Sequence, residues 1–123
     1  MKLLLDTRIF LWWTHDDPRL RGSHREAIRS PQNTVYVSAV SAWEIGIKRT
    51  IGKLAFTGSI ADAIRRHRFE TLAISVEHAE EAGGLPMLHS DPFDRLLVAQ
   101  AKIEGLVLAT VDTLILRYAV RHL

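Results

Sequence analysis

Short apolar runs alternate with segments of helical periodicity along this chain, and that alternation limits what it can fold into. Lys2–Leu5 (KLLL), Val35–Val37 (VYV), Leu72–Ile74 (LAI) and Leu106–Ala109 (LVLA) read as strands. Between them lie helical segments at Arg8–Trp13, Ser23–Arg29, a helix capped by Ser38 that runs to about Thr50, Ser59–Phe69, Glu77–Ala82 and Pro92–Glu104. Pro31-Gln32-Asn33 reads as a turn, Gly52 to Gly58 as a loop, and Gly83-Gly84 and Gly105 as helix ends. Leu114–Leu116 suggests a short helix and Tyr118–Val120 a last edge strand. Strands that are apolar throughout are buried on both faces, so the expected class is α/β, with a parallel sheet covered on each side. In such sheets ligands bind beyond the carboxyl ends of the strands.

The chain has 123 residues, 47% of them apolar, which suits a single domain spanning 1–123 with a real core. No apolar run approaches the roughly 20 residues of a membrane helix. The start MKLLLD is too short for the apolar part of a secretory signal, so a cytoplasmic protein with no membrane partner is expected. Without cysteine, disulfides and thiolate metal sites are excluded. The net charge is only +2, but it is unevenly spread. Asp17 to Glu70 carries ten Lys/Arg against five Asp/Glu, whereas Thr71 to Asp112 carries two against seven. A basic half and an acidic half suit a polyanion and a cation as ligands, or simply two solvated faces.

The acids fall at informative places. Asp6 directly follows the first strand, and Asp112 follows the last apolar strand by three residues. Glu44 shares a helical face with Val40, Ile47 and Lys48, and Asp94 shares one with Leu97, Val98 and Ala101. In SDPFDRLLVAQAKIEG, Asp91 is a natural N-cap before Pro92, and Asp94 is placed to reach back to the cap's N–H. Each acid has an ordinary alternative: Asp6 and Asp112 as caps, Glu44 as the i,i+4 partner of Lys48. Together, four acids at one sheet edge would repel one another unless a cation lay between them. An all-oxygen donor set is what Mg2+ or Mn2+ prefers.

The ordered set LLLDTRIFLWW, VSAVSAWEIGIKRTIGKL, HAEEAGGLPMLHSDPFDRLLVAQAKIEGLVLATVD and RYAV resembles the PIN-domain family, in particular the VapC-type toxins of bacterial toxin–antitoxin pairs. The resemblance runs almost end to end and is weakest from Asp16 to Asn33. It implies a three-layer α/β/α sandwich with a short, mostly parallel central sheet. It also implies a Mg2+- or Mn2+-dependent ribonuclease whose metal and catalytic residues correspond to Asp6, Glu44, Asp94 and Asp112. A small antitoxin and a homodimer are implied partners. Asp91, chiefly as a cap, is a supporting candidate with Thr110 and Ser38, either of which is equally an ordinary cap. His89, near Asp91, reads first as a satisfied loop histidine and second as a member of the site's hydrogen bonding.

Close relatives commonly carry His or Asn where this chain has Arg8. That guanidinium either binds substrate phosphate or pairs with a site carboxylate and weakens metal binding. Lys48, Arg49 and Lys53 join Arg8 as candidate RNA contacts. Trp12 and Trp13 cannot both face one core, so one is a candidate for a partner interface. Two other functions compete. A haloacid-dehalogenase-like phosphatase needs an acid two residues after the first, where Arg8 stands. A degenerate PIN domain would only bind RNA or a partner, and would not need the ion.

Overall fold

Leu3, Leu4 and Leu5 are fully buried, yet Leu3 and Leu5 enter one core while Leu4 enters another, and this split sets the layers. A computed structural model describes all residues 1–123. The strand β1 (Lys2–Leu5) pairs on one side with β2 (Thr34–Ser38), which pairs in turn with β3 (Glu70–Leu72), and on the other side with β4 (Val107–Ala109). The order is β3-β2-β1-β4 and every pairing is parallel.

Helices α1 (Thr7–Thr14), α2 (Gly22–Arg29) and α4 (Ile60–Arg66) cover the face that holds Leu3 and Leu5, through Ile9, Phe10, Ile28 and Ile64. Helix α6 (Pro92–Glu104), with α5 (Val76–Gly84) packed against it, covers the opposite face around Leu4, Leu97, Val98 and Leu108. Helix α3 (Ala39–Thr50) belongs to both cores: Val40 joins one and Ile45 the other. The three-layer α/β/α sandwich implied by the resemblance is the observed fold.

Three local expectations differ from the structure. The third strand is Glu70–Leu72, not Leu72–Ile74. Arg68 adopts a left-handed conformation (φ 61°) just beyond α4 and turns Phe69 into the core, so pairing with β2 starts at Glu70. As an edge strand it is half-exposed and polar, which hid it among the residues after a helix. The expected edge strand at Tyr118–Val120 is absent. The edge of β4 is covered instead three residues later, where Leu108 N–H donates to Arg121 O and Leu123 N–H to Leu108 O. Gly83 and Gly84 close the last turn of α5 from within, rather than following it.

The loop between α5 and α6 hangs on Arg95, a buried residue of α6. Its Nη2 donates to the carbonyls of Ala82 and Leu85 at 2.9 Å each, and its Nη1 to Pro86 O, His89 O and Tyr118 Oη. A planar fork reaches five acceptors at once; an ammonium cannot. Arg95→Lys should therefore leave buried carbonyls unpaired and cost about 2–4 kcal/mol in urea unfolding. An unchanged midpoint would show that the loop is held by other contacts.

Candidate functional site

The chain runs β1 to β2 to β3 in one direction and then returns to place β4 on the other side of β1. The carboxyl ends of β1 and β4 therefore flank the point where the order reverses, which is where doubly covered parallel sheets open a crevice. A cleft of about 360 Å³ lies there, and Asp6, Glu44, Asp94 and Asp112 all line it, together with Arg8, Lys48, Asp91 and His89.

Asp6 ends β1 and starts α1. Its Oδ1 accepts from Ile9 N–H at 2.7 Å, so it is the α1 N-cap, and its Oδ2 accepts from Thr110 Oγ1 at 2.6 Å. Burial raises its pKa to about 6 against the opposing pull of those two hydrogen bonds and of Arg8, and the charge of Asp112 adds to the rise. Asp112 follows β4, held by its own N–H to Thr110 Oγ1 and by Leu114 N–H to its Oδ1. Thr110 thus ties together the two acids of neighbouring strand ends. The capping and cleft roles that compete for Asp6 in the sequence coexist in one carboxylate.

Glu44 is buried on α3, one turn inside the sheet edge. Lys48 Nζ contacts its Oε2 at 2.5 Å, the i,i+4 pair expected from spacing, but on the cleft side of the helix. Its Oε1 is buried without any hydrogen-bond partner. A buried carboxylate oxygen left unpaired is costly unless something binds it. Ile47, expected on this same face, is instead exposed on the outer face of α3 with Trp43 and Ile51.

Asp91 caps α6: its Oδ1 accepts from the N–H groups of Phe93 and Asp94. The expected return bond from Asp94 to the cap's N–H is absent, because that N–H points at His89 Nδ1, 3.3 Å away. Asp94 is thereby released from capping and turns into the cleft. Its pKa rises to about 7, first through burial and then through the charges of Asp91, Glu44 and Asp6, with His89 opposing. His89, Asp94 and Asp112 each offer a ligand atom within 4.8 Å of the others. The donor set is mostly carboxylate oxygen, it is crowded, and one oxygen is orphaned. Those features fit a hard divalent cation held by Glu44, Asp94, Asp6 and Asp112.

The remaining candidates separate in space. Arg8 lines the cleft with its guanidinium carbon 6.0 Å from the Trp12 ring and pairs with no site carboxylate. Arg49 donates to the carbonyls of Phe56 and Gly58, outside the cleft, and Lys53 is exposed in the following loop. Ser38 is buried; its Oγ accepts from Val40 N–H and donates to Gln100 Oε1, which fastens α3 to α6 rather than touching the acids. His89, which the sequence favours as an ordinary loop histidine, lines the cleft and bonds Asp94; its only local signal is its place two residues before the cap. Trp12 and Trp13 are both half-buried, Trp13 against Phe69 and His67, and Trp12 at the cleft between Arg8 and Arg19.

The sequence profile of the PIN domain matches residues 3–121. No curated protein matches the chain by sequence. Among solved structures, the chain is similar to one in VapBC2 from Rickettsia felis bound to a promoter DNA fragment, with 17% identity, a TM-score of 0.75, and coverage of 100% of this chain and 98% of that one. It is similar to one in VapBC-1 from nontypeable Haemophilus influenzae at 18% identity and a TM-score of 0.65, covering 100% and 97%. A toxin–antitoxin complex from Klebsiella pneumoniae is similar at 21% identity and a TM-score of 0.61, covering 90% and 87%. At these identities the likeness is one of fold.

Asp6 and Asp94 carry pKa values above the ordinary aspartate range near 4. Between about pH 4 and pH 7 the folded protein therefore binds more protons than the unfolded chain, and its stability falls as pH rises through that window. Metal-free protein should show a thermal midpoint that drops between pH 5 and pH 8. Asp94→Asn should shrink the drop and raise metal-free stability at pH 8 by on the order of 2 kcal/mol, since Asp91 keeps the cap. A variant as pH-sensitive as the wild type would show that the crowding falls elsewhere.

Proposed function

The chain belongs to the PIN-domain family, and from that premise we propose that it is a Mg2+- or Mn2+-dependent endoribonuclease, the toxin of a toxin–antitoxin pair. The observation that carries the reading is the convergence of Asp6, Glu44, Asp94 and Asp112 on one cleft, with Glu44 Oε1 buried and unpartnered. Glu44 and Asp94 are the best placed to hold the ion, and Asp6 and Asp112, anchored by Thr110, complete the acidic wall. When bound, a divalent ion supplies an activated water and neutralises charge on the scissile phosphodiester. Arg8 is the free cation at the mouth of the cleft, suited to a substrate phosphate. Lys48 holds Glu44 in place and leaves its other oxygen facing inward. The basic segment between Arg19 and Arg68 supplies further phosphate contacts, which makes RNA binding weaken steeply with salt.

The similar structures from Rickettsia felis, Haemophilus influenzae and Klebsiella pneumoniae are complexes whose names pair a toxin with an antitoxin or designate VapBC, and this supports an antitoxin as partner. The cleft continues past Leu11, Trp12 and Leu54 into a groove toward His15 and Arg19. An antitoxin segment lying there can place an arginine among the acids, which would replace the ion electrostatically. Calorimetry should then find antitoxin and Mg2+ binding opposed. The exposed stripe Trp43, Ile47 and Ile51 on α3 is the apolar surface for the expected homodimer, which light scattering at micromolar concentration reads directly.

Cleavage of defined RNAs tests the activity. Wild type should cut with Mg2+ or Mn2+ and fall to background in EDTA, and Asp94→Asn should be inactive while remaining folded. Cleavage that survives EDTA or Asp94→Asn would contradict the reading, and RNA binding without any cleavage would make the chain a binding module.

A further inference from the structure

We propose that His89 is a positioning residue of the acid site: its Nε2–H fixes the direction of Asp94, beside Asp112, as an oxygen donor, and the clamp formed by Arg95 and Tyr118 aims it. The inference rests on the reading of the cleft as a metal centre and assigns that centre a part outside the four acids.

The proton's place on the ring follows from its neighbours. The Asp91 backbone N–H can only donate, and it points at Nδ1 from 3.3 Å. Nδ1 is therefore the acceptor, and the proton of the neutral ring sits on Nε2. Nε2 then donates to Asp94 Oδ2 at 2.9 Å, with Asp112 Oδ2 at 3.4 Å. No other hydrogen bond reaches the Asp94 carboxylate, so His89 alone sets its direction and leaves Oδ1 open to the cleft. Asp112 is pinned at Oδ1 by Leu114 N–H and faces His89 with Oδ2. A protonated Nε2 has no lone pair for a metal, so the ring serves the ligands rather than joining them. Hydrogen-bonded outer groups of this kind orient metal-binding carboxylates and tune their affinity.

The backbone of His89 is held as firmly as its ring. Its N–H donates to Tyr118 Oη at 3.0 Å and its carbonyl accepts from Arg95 Nη1 at 3.3 Å. Tyr118 Oη in turn donates to Pro86 O at 2.8 Å, which Arg95 Nη1 also reaches at 3.0 Å. Two buried side chains from α6 and the chain's last turn thus close on one short loop, which sends His89 and the capping Asp91 into the cleft.

Mn2+ binding to the full chain, read by calorimetry, tests the proposal. His89→Ala should bind about 10–100-fold more weakly than wild type. His89→Gln, whose amide nitrogen reaches the Nε2 position and donates one N–H, should recover most of that loss. Metal-free thermal midpoints, measured alongside, should change little in either variant. A His89→Ala protein that binds Mn2+ as well as or better than wild type overturns the proposal, as does a Gln variant no better than Ala. Should His89→Ala fail to fold, nitrogen NMR of the wild-type imidazole decides: the Nε2–H form should persist when Mg2+ is added. Loss of that proton to a metal-bound nitrogen would make His89 a ligand and overturn the positioning role. Wild-type protein that binds no Mn2+ at all would instead overturn the metal reading on which the proposal rests.

Discussion

Burial of several carboxylates in one cleft, with their repulsion added, is the constraint on which the rest of the structure depends. Asp94 is raised to about 7 by burial and by three neighbouring acids, and Asp6 to about 6 mainly by burial. A fold that brings such groups together gives up stability at neutral pH unless a cation compensates. The scaffold tolerates Asp6 and Asp112 because backbone N–H groups also hold them, and it frees Asp94 by giving the cap to Asp91. Asp6 caps α1, Asp112 is anchored in a short turn by Leu114 and Thr110, and Asp91 caps α6 so that Asp94 need not.

The parallel sheet supplies the meeting point. Because β4 returns to the far side of β1, the ends of those two strands diverge into helices on opposite faces and leave a crevice between them. Helix α3 then bridges both cores, with Val40 in one and Ile45 in the other, and carries Glu44 over the crevice from outside the strands. Ser38 and Gln100 bond across α3 and α6, which fixes the distance between the helix bearing Glu44 and the helix bearing Asp94. Asp6 and Asp94 stand at the starts of packed helices, Glu44 lies within α3, and Asp112 sits in a hydrogen-bonded turn, so none of the four hangs on a long loop.

The layers were legible because their signals are local, apolar runs for buried strands and cap residues for helix starts. That four acids line one cleft followed from Asp6 and Asp112 at strand ends, while Glu44 and Asp94 came from apolar helix faces and the resemblance. What escaped depends on contacts across the chain. The third strand is a polar edge whose start depends on the left-handed turn at Arg68. Tyr118 is spent on the α5–α6 loop instead of a strand, and the cover for β4 comes from the last three residues. The adjacent pair Trp12-Trp13 drew attention as a surface feature, whereas the tryptophan with most of its surface outside is Trp43, 58% exposed. The α3 pattern gave no warning, because its exposed stripe and its buried stripe are both apolar at their centres. Arg49 shows a contact the spacing did not foretell: its Nη1 donates to the Phe56 and Gly58 carbonyls.

Anomalous diffraction from crystals grown with Mn2+ tests the central claim most directly. The account predicts a metal peak inside the cleft, with Glu44 Oε1 and Asp94 Oδ1 among its ligands and His89 outside the coordination sphere. Mn2+ found away from the four acids, or a fully resolved cleft whose carboxylates are satisfied by water and Lys48 alone at millimolar Mn2+, would contradict it.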